Sequence, residues 1–162
     1  MYEITLRGPR PGDIGWIIYR HGVIYSEEYG WNEQFEALVA QAAATFLKRN
    51  DPTRERAWIA DLNGKFAGSV FVVEDHERSN TARLRLLLVE PEARGHGIGR
   101  LLVETGIDFA KKAGYDTMVL WTNDVLRAAR KLYESLGFVL VEEEPIHWFG
   151  PQTIAQTWKK VL

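Results

Sequence analysis

The sequence predicts an α/β domain built on a mixed sheet. Three observations carry this reading. Strand-like and helix-like segments alternate along most of the chain. Asn63-Gly64 stands between two apolar runs as a two-residue hairpin turn, which makes part of the sheet antiparallel. A glycine-rich turn, 95–99, leads from a buried strand into an amphipathic helix.

Taken in order, Ile4 and Leu6 alternate with polar residues and mark a short first strand. Pro11-Gly12-Asp13 opens a helix with Ile14, Ile17 and Ile18 on one face, and Gly22 is expected to end it. Residues 23–31 mix aromatics and acids without a clean period and read as a loop. Asn32 is suited to cap the next helix, whose buried stripe is Phe35, Leu38, Val39, Ala42, Phe46 and Leu47. Lys48 and Arg49 complement its C-terminal dipole, and Asn50 and Pro52 stop it. Strands are predicted at 57–62, 65–73 and 81–89, with Leu84, Leu86 and Leu88 of the last on one face. A helix from about Ile98 to Ala113 has Ile98, Leu101, Leu102, Phe109 and Ala110 inward, and Gly114 follows as a stop. A buried strand at 117–122, a helix at 126–136 stopped by Gly137, and strands at 138–141 and 153–161 complete the order. No repeat, low-complexity stretch or long linker divides the chain, so 1–162 reads as one domain.

Composition excludes several classes. Twenty Lys+Arg stand against 22 Asp+Glu, a net charge of −2, so no basic excess exists to neutralise nucleic-acid phosphates. No apolar run approaches the ~20 residues that span a bilayer. Met1-Tyr2-Glu3 lacks the basic-then-apolar order of a signal peptide, and a cytoplasmic location is expected. The absence of cysteine removes disulfides, thiolate nucleophiles and Cys-based zinc sites. The four His are too dispersed for a zinc motif, so no metal is expected.

The most informative stretch is Arg94-Gly95-His96-Gly97-Ile98-Gly99-Arg100. Glycines at alternate positions let backbone N–H groups converge, and the first N–H groups of a helix have no internal partner. Such a helix start suits a phosphate or diphosphate, and Arg94 and Arg100 add charge. A dinucleotide fingerprint starting at Gly95 fails because Arg100 occupies its last glycine position. A Walker loop fails because Gly64-Lys65 is followed by Phe66. What remains, Arg94-x-x-Gly97-x-Gly99, resembles the diphosphate loop of the GNAT superfamily of acyl-CoA-dependent N-acyltransferases. A second segment, Ala128 to Phe138, resembles that family's helix ending in Tyr-x-x-x-Gly-Phe, with Tyr133, Gly137 and Phe138 in register. The segments His21-Gly22, 28–31 and 121–123 are also similar to acetyltransferase domains found fused to winged-helix regulators, although no regulatory role is expected of this chain.

The resemblance covers nearly the whole chain. It implies a single-domain, mostly antiparallel sheet that splays between its fourth and fifth strands, with helices on both faces. It implies acetyl-CoA as co-substrate, a primary amine of a small molecule or peptide as acceptor, and direct attack in a ternary complex. Leu87, Leu88 and Val89 would hydrogen-bond the pantetheine arm. Residues Arg94, Gly95, His96, Gly97, Ile98, Gly99 and Arg100 would hold the diphosphate, with Ala129 on the coenzyme wall. Tyr133 would protonate or hydrogen-bond the departing thiolate. Family members often carry Asn seven residues before this Tyr. Here that position is Leu126, and Asn123 is the candidate replacement. No acid stands early in the fourth strand to act as base. Glu27 and Glu28 could hold the amine or act through water, or be ordinary solvated acids. His147 and Trp31 are further acceptor-side candidates, and Tyr25, Tyr29, Trp148 and Phe149 offer an aromatic wall. Arg83 and Arg85 either face the cleft toward an acceptor carboxylate or lie on a solvated strand face. A homodimer is compatible with the resemblance. The competing reading is a non-catalytic acyl-CoA sensor.

Overall fold

The computed structural model describes residues 1–49 and 51–162, so Asn50, one of the two expected helix stops, lies outside the described residues. The elements are β1 (Ile4–Arg7), α1 (Asp13–Tyr29), α2 (Glu33–Arg49), β2 (Arg56–Leu62), β3 (Lys65–Asp75), β4 (Thr81–Val89), a 3-10 turn (Pro91–Ala93), α3 (Ile98–Lys112), β5 (Thr117–Asn123), α4 (Arg127–Ser135), β6 (Val139–Ile146) and β7 (Thr153–Val161). Seven strands form one sheet in the order β1-β2-β3-β4-β5-β7-β6. Every neighbouring pair is antiparallel except β4 and β5.

Local chemistry explains most boundaries. The Asn32 side chain accepts the Gln34 N–H at 3.0 Å and starts α2. Asn63 and Gly64 both take positive φ, the conformation a two-residue hairpin requires, and Leu62 pairs with Lys65 across it. The first helix departs from expectation. It does not end at Gly22 but runs on to Tyr29, and Gly30 caps it by donating to the Ser26 carbonyl at 3.0 Å. Gly22 is a crossing point: a Cβ there would lie 2.7 Å from Glu36 Oε1 of α2. His21, which the expected stop at Gly22 would put at the helix end, is instead buried inside α1. Once it is counted with the inward side chains, the stripe Ile14, Ile17, His21, Ile24 continues unbroken.

β6 is also longer than predicted. Pro145 lies within it, and an edge strand tolerates proline because its outer side makes no ladder bonds.

The sheet carries helices on both faces. Val70, Val72, Leu84, Leu102, Ile107, Met118, Leu120 and Phe138 form the core beneath α3 and α4. On the other face Ile17, Ile59 and Phe71 pack beneath α1 and α2, and Trp31, Phe35, Val39, Phe149 and Ala155 continue that layer over β5 and β7. Fully burying each large apolar side chain contributes about 1.5–3 kcal/mol. Leu101, placed inward by spacing, is 37% exposed, and the inner face of α3 is completed by Val103, Gly106 and Ile107 instead.

β4 decides the shape of the site. It pairs with β5 only from Thr81↔Thr117 to Leu84↔Leu120, and beyond these the two strands part. Against β3, the register moves from Phe71↔Arg85 to Ser69↔Leu88, so two residues of β4 stand opposite one of β3. Leu86, at φ 53°, is in this bulge, and its carbonyl accepts from the Ser69 hydroxyl at 2.9 Å. The bulge overturns the expected Leu84–Leu86–Leu88 face. Leu84 and Leu87 pack toward α3, whereas Leu86 packs toward α1 and α2.

Candidate active site

The glycine turn follows β4 directly and starts α3. Gly95 and Gly97 have φ of 84° and 75°, the left-handed region that favours glycine, and a Cβ at either would meet nothing within 4 Å. Among the described residues no side chain caps α3, and none offers a backbone carbonyl outside the helix to the N–H groups from Gly95 to Arg100. Gly99 packs closely, with Leu132 3.5 Å and Val89 3.7 Å from its missing Cβ, and so seats α4 against the helix start. The result is a cluster of open amides at the positive end of a 15-residue helix.

These amides face a cavity of about 390 Å³ lined by Leu87, Leu88, Val89, Arg94, Gly95, Gly97, Ile98, Gly99, Glu28, Leu126 and Ala129, among others. Most of the loop residues singled out by spacing are therefore brought together. His96 and Arg100 are not on this wall. The His96 ring lies 3.0 Å from the Ala93 carbonyl through Nδ1, and Arg100 donates to the Ser135 hydroxyl at 2.7 Å. Arg94 donates to both oxygens of Glu28, at 2.8 and 2.9 Å.

A second cavity of about 300 Å³ adjoins the first, sharing Tyr25, Leu87, Leu126 and Ala129. Tyr133 and Trp31 line it, together with Trp121, Trp148, Phe35, His21, Arg83 and Arg85. Trp121 and Trp148 stack with ring centroids 6.0 Å apart. Among the described residues no Asp or Glu lines this second cavity. Tyr133 is 6% exposed, and burial pushes its pKa well above the ordinary phenol value, with Tyr25 adding in the same direction. A phenol is protonated at neutral pH even without this shift, which widens the margin. Burial likewise raises Tyr25.

Other candidates fall elsewhere. Glu27 is exposed and lines neither cavity, and His147 is exposed in the β6–β7 turn and also lines neither. Asn123 is fully buried at the end of β5, outside both linings, with neither side-chain amide atom hydrogen-bonded. His21 was not among the candidates. Its Nδ1 donates to the Ile17 carbonyl at 2.8 Å, which leaves a lone pair on a buried and unpartnered Nε2. Burial lowers its pKa to about 4, outweighing the opposing bond to Ile17, so the ring is neutral. The signal that could have found it is the unbroken three-or-four spacing through α1.

Residues 19–138 match the family model described as the acetyltransferase (GNAT) family. The chain belongs to the GNAT family. Relatives of this GNAT chain include an uncharacterized N-acetyltransferase of Schizosaccharomyces pombe, 33% identical over 73% of this chain and 72% of that protein. They also include the N-acetylaspartate synthetase of Danio rerio, 40% identical over 65% of this chain and 36% of that protein. The chain thus spans about a third of the length of that synthetase. Among solved structures, a putative acetyltransferase from Salmonella typhimurium with its cofactor acetyl-CoA superposes with a TM-score of 0.76 at 23% identity, covering 98% of this chain and 94% of that one. A GNAT acetyltransferase from Streptococcus pneumoniae gives a TM-score of 0.77 at 21% identity, with 99% and 100% covered. At these identities the structures share the GNAT fold. No described helix is long and apolar enough to cross a membrane, and among the described residues no cluster of His, Asp and Glu could hold a metal ion.

Proposed function

We propose that this GNAT chain transfers the acetyl group of acetyl-CoA to an amine by direct attack within a ternary complex. One observation carries the reading: a cavity over open helix-start amides joins, at Leu87, Leu126 and Ala129, a second cavity that contains a protonated, buried tyrosine. The loop fits the coenzyme's diphosphate because, among the described residues, nothing crowds Gly95 or Gly97 and no side chain competes for the amides.

When bound, acetyl-CoA supplies an acyl group activated as a thioester. Amides of Gly95, Gly97, Ile98 and Gly99 would hold its diphosphate, and the bare edge of β4 at Leu87, Leu88 and Val89 offers backbone groups to the pantetheine arm. A backbone N–H at the β4 bulge stabilises the oxygen that becomes negative as the amine attacks. Tyr133 donates its proton to the departing sulfur. Glu28, held by Arg94, tunes the loop rather than serving as base, and the proton lost by the amine leaves through water, since no carboxylate faces it in the acceptor cavity. Positioning supplies much of the rate. The names of the relatives fit this reading, since one is an N-acetyltransferase and others make N-acetylaspartate, an acetylated amino acid.

Titration calorimetry with acetyl-CoA, together with a thiol-release assay over amino acids, polyamines, aminoglycosides and peptide N-termini, tests the proposal. Coenzyme binding with thiol release for at least one amine class is expected. Binding with no release from any amine would replace the enzyme with an acyl-CoA sensor, and absence of binding would remove both readings.

A further inference from the structure

We propose that the acceptor is an amine that also carries a carboxylate, and that Arg85 receives that carboxylate. This deepens the acetyl-transfer reading and rests on it. The residues that line the acceptor cavity include two guanidiniums and no acid among the described residues. The charges on its wall are therefore suited to an anion and unsuited to a polyamine or an aminoglycoside.

The two arginines are not equivalent. Arg83 donates to Asp75 at 3.0 Å, and nearby Arg49 donates to Glu55 at 3.1 Å. Arg85 makes no ion pair or hydrogen bond with any described residue, although it lies between β4 and α2 with Val39 and Ala42 on the same wall. Burial lowers its pKa, and the charges of Arg83 and Arg49 push it in the same direction, against a smaller pull from Asp75. A guanidinium remains charged under such pressure. A partly desolvated, unpaired guanidinium is less favourable on its own and favourable once it meets a carboxylate, which it can grip through two parallel hydrogen bonds.

Placement supports the role. Arg85 immediately precedes the bulged Leu86, and Leu87 is at the junction with the coenzyme cavity, so β4 carries the anion anchor and the reacting end on one strand. Between them the stacked Trp121–Trp148 pair and Trp31, Tyr25 and Phe35 surround the acceptor body with flat apolar surface. An amino acid or another acid-bearing amine of modest size satisfies all three regions.

The test uses matched pairs that differ by one carboxylate: L-phenylalanine with 2-phenylethylamine, L-tryptophan with tryptamine, and L-leucine with 3-methylbutylamine. Kinetics with acetyl-CoA are run beside calorimetry of each compound on protein saturated with coenzyme A, which reports acceptor binding even without turnover. In at least one pair the acid is expected to bind or react about tenfold or more better than its partner. Arg85→Gln should collapse that preference by about the same factor, and Arg85→Lys should restore part of it. Equal treatment of acid and amine in every pair overturns the inference, as does a preference that survives Arg85→Gln. Acids that bind in an Arg85-dependent way but are never acetylated would leave the anion anchor standing and defeat acetyl transfer instead.

Discussion

Two side chains show how burial sets chemistry at single positions. Tyr133 is a buried phenol whose pKa lies above the ordinary phenol value, so it is protonated at neutral pH with a wider margin than a free tyrosine, and protonated is the state a proton donor needs before a thiolate departs. Tyr133→Phe keeps the ring and its packing against Phe138, 5.8 Å away between centroids, and removes only the hydroxyl. The expected outcome in steady-state kinetics is a fall in kcat of about 100-fold with the acetyl-CoA Kd unchanged. An unchanged kcat removes Tyr133 from the chemistry. His21 gives a stability prediction. Its pKa is about 4 in the folded protein, against an ordinary 6.5. Because the unfolded chain takes up the proton first, the stabilisation is complete above pH 6.5 and is lost as pH falls toward 4. The whole loss is on the order of 3 kcal/mol. Carboxylates titrate partly in the same interval, so the informative measurement is the difference from His21→Gln in urea unfolding at pH 7 and pH 5. The wild type should lose more stability than the variant, and equal losses would mean that the ring is not kept neutral by burial.

Among elements, those with a local signal were legible and those created by pairing were not. The α2 helix, the Asn63-Gly64 hairpin and the strand at 81–89 lie where the spacing places them, because cap, turn and period are written in neighbouring residues. Within the predicted α2 stripe, however, Leu38 and Leu47 are exposed, and Ala43 is buried beside Phe35 and Val39 instead. The bulge in β4 was invisible. Leu84, Leu86 and Leu88 alternate as in a regular strand, and only the register against β3 and the hydroxyl of Ser69 turn Leu86 to the other face. The long α1 was missed because Gly22 reads as a stop until α2 is seen crossing at that point. The bulge also rests on Gly68, whose missing Cβ would be 2.4 Å from the Leu88 carbonyl oxygen. Backbone cannot rotate away as a side chain can, so Gly68→Ala must displace β4 at Leu88. The expected result is a loss of about 1–3 kcal/mol in urea unfolding and weaker acetyl-CoA binding by calorimetry. Full affinity in a destabilised variant would show that the β4 edge does not contact the coenzyme.

The molecule as a whole places its site where the sheet opens, and this governs how much of the site could be read in advance. The amides and glycines of the proposed coenzyme side come from one continuous stretch, β4 through the start of α3, and were legible together, whereas its other walls are supplied by α1 and α4. The proposed acceptor side is assembled from α1, α2, β4, β5, α4 and the turn after β6, and no spacing rule joins His21, Arg85, Trp121 and Trp148 before the fold does. Glu28 shows the consequence. As a residue of sequence it could be a base, whereas in the fold it closes a contact between α1 and the glycine loop by gripping Arg94. Both partners are partly exposed, so removing the pair should change stability by no more than about 1 kcal/mol. Its effect on the coenzyme has a definite sign. Glu28→Gln releases Arg94 toward the diphosphate and also removes a negative charge beside it, and both changes favour binding. The acetyl-CoA Kd should therefore fall about two- to fivefold, the range of an exposed ion pair, with the tightening lost at high salt. Turnover and its pH profile should be retained. A kcat lowered by about 100-fold would instead return Glu28 to the role of base and require that Arg94 release it during the reaction.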